Sequence, residues 1–207
     1  MTDDPVLRPG GFAITDRALA FCAFPAGARI LDIGCGSGAT VTHARRTHHL
    51  AACGIDSDPA CVAGREHLLC ARAEHLPFPA DVMDGLLLEC SLSVMDDPEA
   101  VLAECRRVLK PGGRLAISDV YARGEAARLG GCLGRVDRRE TLIASVQDRG
   151  FGLELFEDHS GHLRALWAQR VFEQGAGALC AELGADRRTL KAVGCGYCLL
   201  VARKGPA

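Results

Sequence analysis

An apolar run that ends in an acid and leads into alternating glycines is the most informative stretch of this chain. Residues 28–38 read Ala-Arg-Ile-Leu-Asp-Ile-Gly-Cys-Gly-Ser-Gly, so that Asp32 closes the run and Gly34, Gly36 and Gly38 follow it. Glycines at alternate positions let the backbone turn sharply and approach a ligand closely. A carboxylate at the strand end favours a ligand with an ammonium group and sugar hydroxyls over a nucleotide phosphate.

The same glycine pattern also fits a second class of site. The looser dinucleotide fingerprint, Gly-x-Gly-x-x-Ala, starts at Gly34, and Asp56 lies near the position of a ribose-binding acid. A short-chain dehydrogenase would also need a Tyr-x-x-x-Lys pair. Neither Tyr121 nor Tyr197 has a lysine four positions later, so hydride transfer is the weaker interpretation.

Length and composition favour a single domain that acts on a small molecule. The chain has 207 residues, of which 48% are hydrophobic and 24% are charged, and its formal net charge is −2. This charge gives no reason to expect nucleic acid or an anionic membrane as a partner. No apolar run approaches the length of a transmembrane helix, and the acidic start, Met-Thr-Asp-Asp-Pro, is unlike a secretory signal. We therefore predict a cytoplasmic protein, whose oligomeric state stays open.

Eleven cysteines are an unusually large number for this length. Their number is odd and their spacing is scattered, which favours free thiols over a disulfide framework. Most of them, such as Cys53 and Cys105, are predicted to act as small hydrophobic residues. Cys195 and Cys198 are spaced like a redox pair, but they lead into a strand rather than a helix, which makes redox catalysis the weaker interpretation. We predict no metal site.

Alternating strand and helix patterns predict one α/β domain with a mostly parallel sheet and helices on both faces. Strands are predicted at 28–33, 51–55, up to about 71, 84–89, 114–118, 152–158 and 197–203. Helices are predicted from about 39, at 59–69, from 98 to about 109, from 137 and over most of 161–193. Asp97 and Pro98 mark the clearest helix start, and Asp137 with Glu140 predicts a capping box. Within the domain we expect an N-terminal helical cap (1–27), a lid-like insertion over the ligand face (120–136) and a helical insertion before the last strand (160–194).

The order of these motifs resembles the class I S-adenosylmethionine-dependent methyltransferases. Residues 28–38 are similar to their cofactor loop. Glu-His-Leu-Pro-Phe-Pro-Ala-Asp at 74–81 and Lys-Pro-Gly-Gly-Arg at 110–114 resemble segments of the ubiquinone-biosynthesis-type members. The resemblance implies a single Rossmann-like domain with a seven-stranded sheet whose last strand is antiparallel. It also implies S-adenosylmethionine as cofactor, in-line methyl transfer to a small molecule, and S-adenosylhomocysteine as product.

The resemblance further implies which residues bind the cofactor. Asp32 and the backbone of the glycine loop would hold its methionyl end, and the two oxygens of Asp56 would accept hydrogen bonds from both ribose hydroxyls. Arg72 stands where the family commonly has an acid for the adenine amino group, so adenine recognition would depend on backbone groups or on the turn at 73–74. The predicted cofactor-binding residues are Asp32, Gly34, Cys35, Gly36, Asp56, Ser57, Ala73, Glu74 and Glu89.

Three segments on the substrate side are similar in order to arsenite methyltransferases: 89–93, 117–121 and Gly-Cys-Leu-Gly at 131–134. In that family a cysteine in such a context binds trivalent arsenic, and thiolates suit a soft centre. Cys132 is therefore either a residue that handles a thiol or metalloid substrate or a small residue in a glycine-rich lid. The paired N-terminal cysteines and the long C-terminal domain of that family have no match here, which argues against a full arsenite methyltransferase.

The predicted catalytic residues are Glu89, Tyr121, Cys132 and His159. A base is needed only if the acceptor arrives protonated, and His159 could serve a hydroxyl or an amine. The alternative for His159 is a polar helix start capped by Ser160. Two other functions stay open: a non-catalytic cofactor-binding accessory protein, and a soft-metal or redox module on the same fold.

Overall fold

A seven-stranded sheet with helices on both faces forms the centre of the computed structural model, which describes residues 8–205. The strands are β1 Arg29–Ile33, β2 Ala51–Asp56, β3 Leu68–Cys70, β4 Met83–Glu89, β5 Leu109–Ala122, β8 Phe151–Asp158 and β9 Cys195–Lys204, while β6 Ala127–Arg128 and β7 Arg135–Val136 form a separate hairpin. The order in the sheet is β3-β2-β1-β4-β5-β9-β8. Only β9 runs antiparallel to its neighbours within this sheet, so the predicted fold class is confirmed.

Eight α-helices surround the described part of this sheet, and a 3₁₀ turn, Leu92–Val94, follows β4. The helices are α1 Phe12–Cys22, α2 Ala39–Thr47, α3 Pro59–Val62, α4 Pro98–Val108, α5 Arg139–Asp148, α6 Ser160–Gln174, α7 Ala176–Glu182 and α8 Arg187–Val193. The predicted start of α4 is confirmed, since Asp97 accepts a hydrogen bond from the Ala100 amide and Pro98 is the first helical residue. Within residues 8–205, no helix is long and apolar enough to cross a membrane.

Two hydrophobic layers, one on each face of the sheet, make up the core. Side chains of successive strand residues point to opposite faces, and β5 shows this: Ala116 packs in the layer under α1, α2 and α6, whereas Leu115 and Ile117 pack in the layer under α4 and α5. The carboxyl ends of β1, β2 and β4 meet at one edge of the sheet. That edge positions the candidate site.

Three predicted elements differ from the structure. The helix predicted at 59–69 is wrong: α3 ends at Val62, because Gly64 and His67 adopt left-handed conformations, with φ of 67° and 65°. The strand predicted at 114–118 extends over Leu109–Ala122, since β4 and β9 pair with it from both sides.

The predicted capping box is the third difference. The helix α5 begins at Arg139, one residue after an N-cap without a side-chain hydrogen bond. The Asp137 carboxylate instead accepts a hydrogen bond from Arg135 Nε at 2.5 Å. An ion pair with the preceding strand therefore replaces the capping interaction that the sequence pattern suggests.

The predicted N-terminal cap and the two predicted insertions correspond to helices, the end of β5 and a hairpin. The segment 120–136 contains the end of β5 and the hairpin β6–β7, whose Leu133 and Val136 are buried. The segment 160–194 forms α6, α7 and α8. The N-terminal helical cap corresponds to α1, and residues 1–7, with the acidic start used to argue against a secretory signal, lie outside the described residues. All eleven cysteines lie within residues 8–205 and are free.

Candidate active site

The glycine loop follows β1 directly and turns tightly over the end of β2. The amides of Gly34 and Cys35 both donate to the Ile55 carbonyl at 2.9 Å, and the Gly36 amide donates to Asp56 Oδ2 at 2.9 Å. Gly34 has a φ of 77°, and a Cβ there would lie 2.6 Å from the Cβ of Ser91. Only glycine fits that approach, so the loop backbone stays exposed to a ligand above it.

Asp32 is a buried carboxylate without a hydrogen-bond partner among the described residues, and it is 4% exposed. Burial, together with the nearby carboxylates of Glu89 and Asp56, raises the pKa of Asp32 well above its ordinary range. The positive charge of Arg8 offsets only part of this increase in the pKa of Asp32. An unpaired buried acid is costly unless a ligand compensates it, so this end of β1 favours a cationic ligand.

The carboxylate of Glu89, at the end of β4, interacts with α1, α2 and the segment before α1. Thr15 of α1 donates to its Oε1 at 2.7 Å, and Thr40 of α2 donates to its Oε2 at 2.7 Å. Arg8 Nη2 lies 2.9 Å from the same Oε2. The Glu89 side chain therefore holds two helices and the preceding segment against the sheet.

A cavity of about 240 Å³ lies beside the glycine loop and holds most of the predicted cofactor-binding residues. Its lining includes Gly34, Asp56, Ser57, Ala73 and Glu74, as predicted, and also Ile55, Ala71, Arg72, Cys90, Ser91, Val94, Met95 and Asp96. The carboxylate of Asp56 accepts from the amides of Gly36 and Asp58, each at 2.9 Å, through different oxygens. Because each carboxylate oxygen has two lone pairs, both can still accept from a ribose hydroxyl.

Position 72, where the resemblance would place an acid, is occupied by an arginine at the edge of this cavity. The Arg72 side chain is 60% exposed and reaches Glu74 at 3.2 Å and Asp96 at 3.5 Å. Cys35 contributes no side chain to the lining: its thiol packs toward β2, where a Cβ on Gly54 would lie 2.7 Å from the sulfur. Burial also raises the pKa of the Cys35 thiol to about 12.

Comparison with known proteins agrees with this geometry. The family described as "Methyltransferase domain" matches residues 31–117. The chain is 30% identical over 224 aligned residues to the 27-O-demethylrifamycin SV methyltransferase of Amycolatopsis mediterranei, covering 92% of this chain and 82% of that protein. The chain belongs to the class I S-adenosylmethionine-dependent methyltransferases.

Other proteins are similar to this chain over a shorter stretch or in their fold. The O-methyltransferase rstn1 of Aspergillus nomiae is 36% identical over 107 residues, covering 46% of this chain and 48% of that protein. The chain thus spans about half the length, or less, of several curated relatives that it matches. The crystal structure of the [4+2]-cyclase SpnF has a TM-score of 0.75 and 27% identity, and covers 94% of this chain and 80% of that one.

The four predicted catalytic residues lie in different environments. Glu89 is held by the N-terminal elements, as described above. The ring of Tyr121 packs in the core layer under α4 and α5, in edge contact with Phe156 with ring centroids 5.6 Å apart, whereas the neighbouring Val120 packs in the other layer. Cys132 is exposed on the turn of the β6–β7 hairpin.

His159 is placed by the junction of β8 and α6. Its Nε2 lies 3.1 Å from Glu157 Oε2, and its ring stacks on that of His162 with centroids 5.9 Å apart. Hydrogen bonds from Arg17, and less strongly from His159, hold the pKa of Glu157 below its ordinary value. The His159 side chain makes no capping hydrogen bond for α6, so its ring is available for other contacts.

Two residues that are not predicted from the sequence, Cys90 and Tyr197, form or support the wall of the cavity. Cys90 adopts a left-handed conformation, with φ of 55°, and its Sγ lies 2.9 Å from the hydroxyl of Tyr197. That hydroxyl also lies 3.2 Å from the Ser118 carbonyl. Burial raises the pKa of the Cys90 thiol to about 12, so the side chain is a neutral hydrogen-bonding group in the wall of the cavity.

Proposed function

We propose that the chain transfers a methyl group from S-adenosylmethionine to a hydroxyl oxygen of a small molecule. The observation that carries the proposal is the buried, unpaired carboxylate of Asp32 beside the glycine loop, next to a cavity that Asp56 borders. The hydroxyl acceptor is supported by the printed names of the relatives, which include a 27-O-demethylrifamycin SV methyltransferase and an O-methyltransferase.

The charges at the loop suit S-adenosylmethionine. Asp32 would accept hydrogen bonds from its ammonium group, which supplies the counter-charge that the carboxylate lacks. Asp56 would accept hydrogen bonds from the ribose hydroxyls. When bound, S-adenosylmethionine supplies an activated methyl group, so the chain needs mainly to align the acceptor and exclude water.

Removal of the acceptor proton is assigned to His159. Glu157 lies on its Nε2 side and favours the tautomer that carries the proton there, which leaves the Nδ1 lone pair to accept a proton. Arg17 in turn fixes Glu157. Glu89 is a weaker choice because its oxygens already accept from two threonines and pair with an arginine.

A turnover assay separates this proposal from its rivals. Purified chain with S-adenosylmethionine is offered two matched acceptor sets, hydroxylated compounds and thiols with arsenite, and S-adenosylhomocysteine formation is measured. The proposal expects product with a hydroxyl acceptor. Turnover confined to thiols or arsenite would support the second candidate, which rests on the exposed Cys132. Cofactor binding without turnover on either set would favour an accessory protein.

Replacement of Asp56 by alanine is expected to weaken cofactor binding by about 1–3 kcal/mol, because ribose hydroxyls would lose their acceptor. Calorimetric titration with S-adenosylhomocysteine measures the change. Asp96→Ala is the matched control, since the Asp96 side chain is 86% exposed at the rim of the same cavity. Equal affinities of the Asp56 variant and the unaltered chain would refute the ribose assignment.

Replacement of His159 by glutamine is expected to lower kcat by about 100-fold or more, the usual contribution of a positioned general base. The dissociation constant of the cofactor should stay the same. His75→Gln, at an exposed position, serves as control. An unchanged kcat in the His159 variant would remove this residue from the reaction.

A further inference from the structure

A cluster of metal-ligating side chains lies where α1 meets α2, away from the lining of the cofactor cavity. Nε2 of His43 lies 2.6 Å, and Nε2 of His48 2.7 Å, from the same atom, Oδ1 of Asp16. Asp16 comes from α1, His43 from α2, and His48 follows α2 directly. The three potential ligand atoms all lie within 4.8 Å of one another.

The neighbours of this cluster hold its rings in place. The His43 ring stacks on Phe12, with centroids 4.1 Å apart and planes 8° apart. It meets the His48 ring edge-on at 5.4 Å, so that both imidazoles turn a nitrogen toward one carboxylate oxygen. The side chains of His43 and His48 are only 16% and 27% exposed, whereas Asp16 is 46% exposed. The cluster is therefore preorganised and still open to solvent on one side.

We propose that Asp16, His43 and His48 bind one zinc ion, with water completing a tetrahedral site. Two imidazole nitrogens and one carboxylate oxygen are ligands that zinc takes readily, and three protein ligands leave one position for solvent. The ion takes the place of the hydrogen bonds between the two Nε2 atoms and the carboxylate. Each imidazole then binds zinc through an unprotonated Nε2 and carries its single proton on Nδ1, and any second proton leaves to solvent. For His43, Thr47 Oγ1 lies 3.4 Å from Nδ1, on the side where an outer hydrogen bond would orient the ring.

Such a site would fasten the two helices that also hold Glu89. Thr15 precedes Asp16 in α1, and Thr40 lies one turn before His43 in α2, and both threonines donate to Glu89. Zinc binding would therefore stabilise the contact between α1 and α2 at a second place, about one helical turn from the threonines that bind Glu89. Since a ligand that binds only the folded state raises its stability, zinc should raise the melting temperature.

The test uses the full chain after treatment with a chelator and removal of that chelator. Calorimetric titration with zinc chloride should give saturable binding of one ion per chain. His48→Asn and Asp16→Asn should each weaken the affinity at least tenfold. His49→Asn is the matched control: the same substitution at the neighbouring, exposed position, where asparagine tolerates the φ of 55°. Melting without metal shows whether each variant is folded.

Cobalt(II) spectroscopy distinguishes this site from the cysteines. Cobalt in place of zinc should show visible bands of a nitrogen- and oxygen-ligated ion without thiolate charge transfer, and these bands should disappear in the folded His48 variant. Absence of saturable zinc binding would overturn the proposal. So would zinc binding that survives both Asp16→Asn and His48→Asn, or a cobalt spectrum dominated by thiolate charge transfer.

Discussion

Replacement of Asp32 by asparagine should weaken the binding of S-adenosylhomocysteine about 100-fold, by removing a charge-assisted hydrogen bond worth roughly 3 kcal/mol in a buried site. The ligand's ammonium group would face an amide instead of a carboxylate. Calorimetric titration measures the loss. Affinity within threefold of the unaltered chain would contradict the role assigned to Asp32.

The same substitution should stabilise the cofactor-free protein. Burial and two neighbouring carboxylates raise the pKa of Asp32 in the folded state above its value in the unfolded chain. A group with a raised pKa binds its proton more tightly when folded, so the free energy of unfolding falls as pH rises through this interval and stays low above it. Asparagine does not titrate, and the advantage of the variant should grow with pH over that window.

Thermal denaturation at a series of pH values above the ordinary pKa of an aspartate, without cofactor, tests the stability effect. Ligand affinity adds a second, independent reading, because the ammonium group binds the ionised carboxylate. In the unaltered chain the affinity should increase with pH until Asp32 is ionised, with proton release on binding, and in Asp32→Asn this contribution should be absent. A variant that melts below the unaltered chain at every pH would contradict the electrostatic explanation.

Replacement of Glu89 by alanine should lower the free energy of unfolding by about 3 kcal/mol. The side chain is 6% exposed, and its removal leaves Thr15 and Thr40 without their acceptor and Arg8 without its ion-pair partner. Breaking a buried ion pair on one side typically costs about 3–5 kcal/mol. The lower end applies here because the same change relieves the repulsion between Glu89 and Asp32.

Urea denaturation of the cofactor-free chain measures this loss. Thr40→Ala is the control that removes one of the same hydrogen bonds, and it should cost only about 1 kcal/mol. A loss for Glu89→Ala no larger than that for Thr40→Ala would show that the network around Glu89 adds little, and that α1 is held by its apolar face alone.

Elements with a strong local signal are the ones that the sequence predicts well. The cap at Asp97 and Pro98 determines the start of α4 from adjacent residues alone, and an apolar run that ends in Asp32 and meets glycines specifies the loop after β1. In these cases the physical cause lies within a few residues of its effect.

Features that depend on distant partners could not be predicted. Tyr121 and Val120 differ by one position in β5, and only the packed sheet decides which of the two core layers each side chain joins. The engagement of Glu89 depends on Thr15, which lies 74 positions earlier in the chain. The length of α3 depends on left-handed residues, and one of them, His67, is not glycine.

The most direct measurement is a calorimetric titration of the purified chain with S-adenosylmethionine and, separately, with NAD. We expect saturable binding of one molecule of S-adenosylmethionine per chain and no binding of NAD. The affinity for S-adenosylmethionine should be lower in Asp32→Asn and in Asp56→Ala. Binding of NAD with no binding of S-adenosylmethionine would contradict it, because the acids at the ends of β1 and β2 would then serve a dinucleotide.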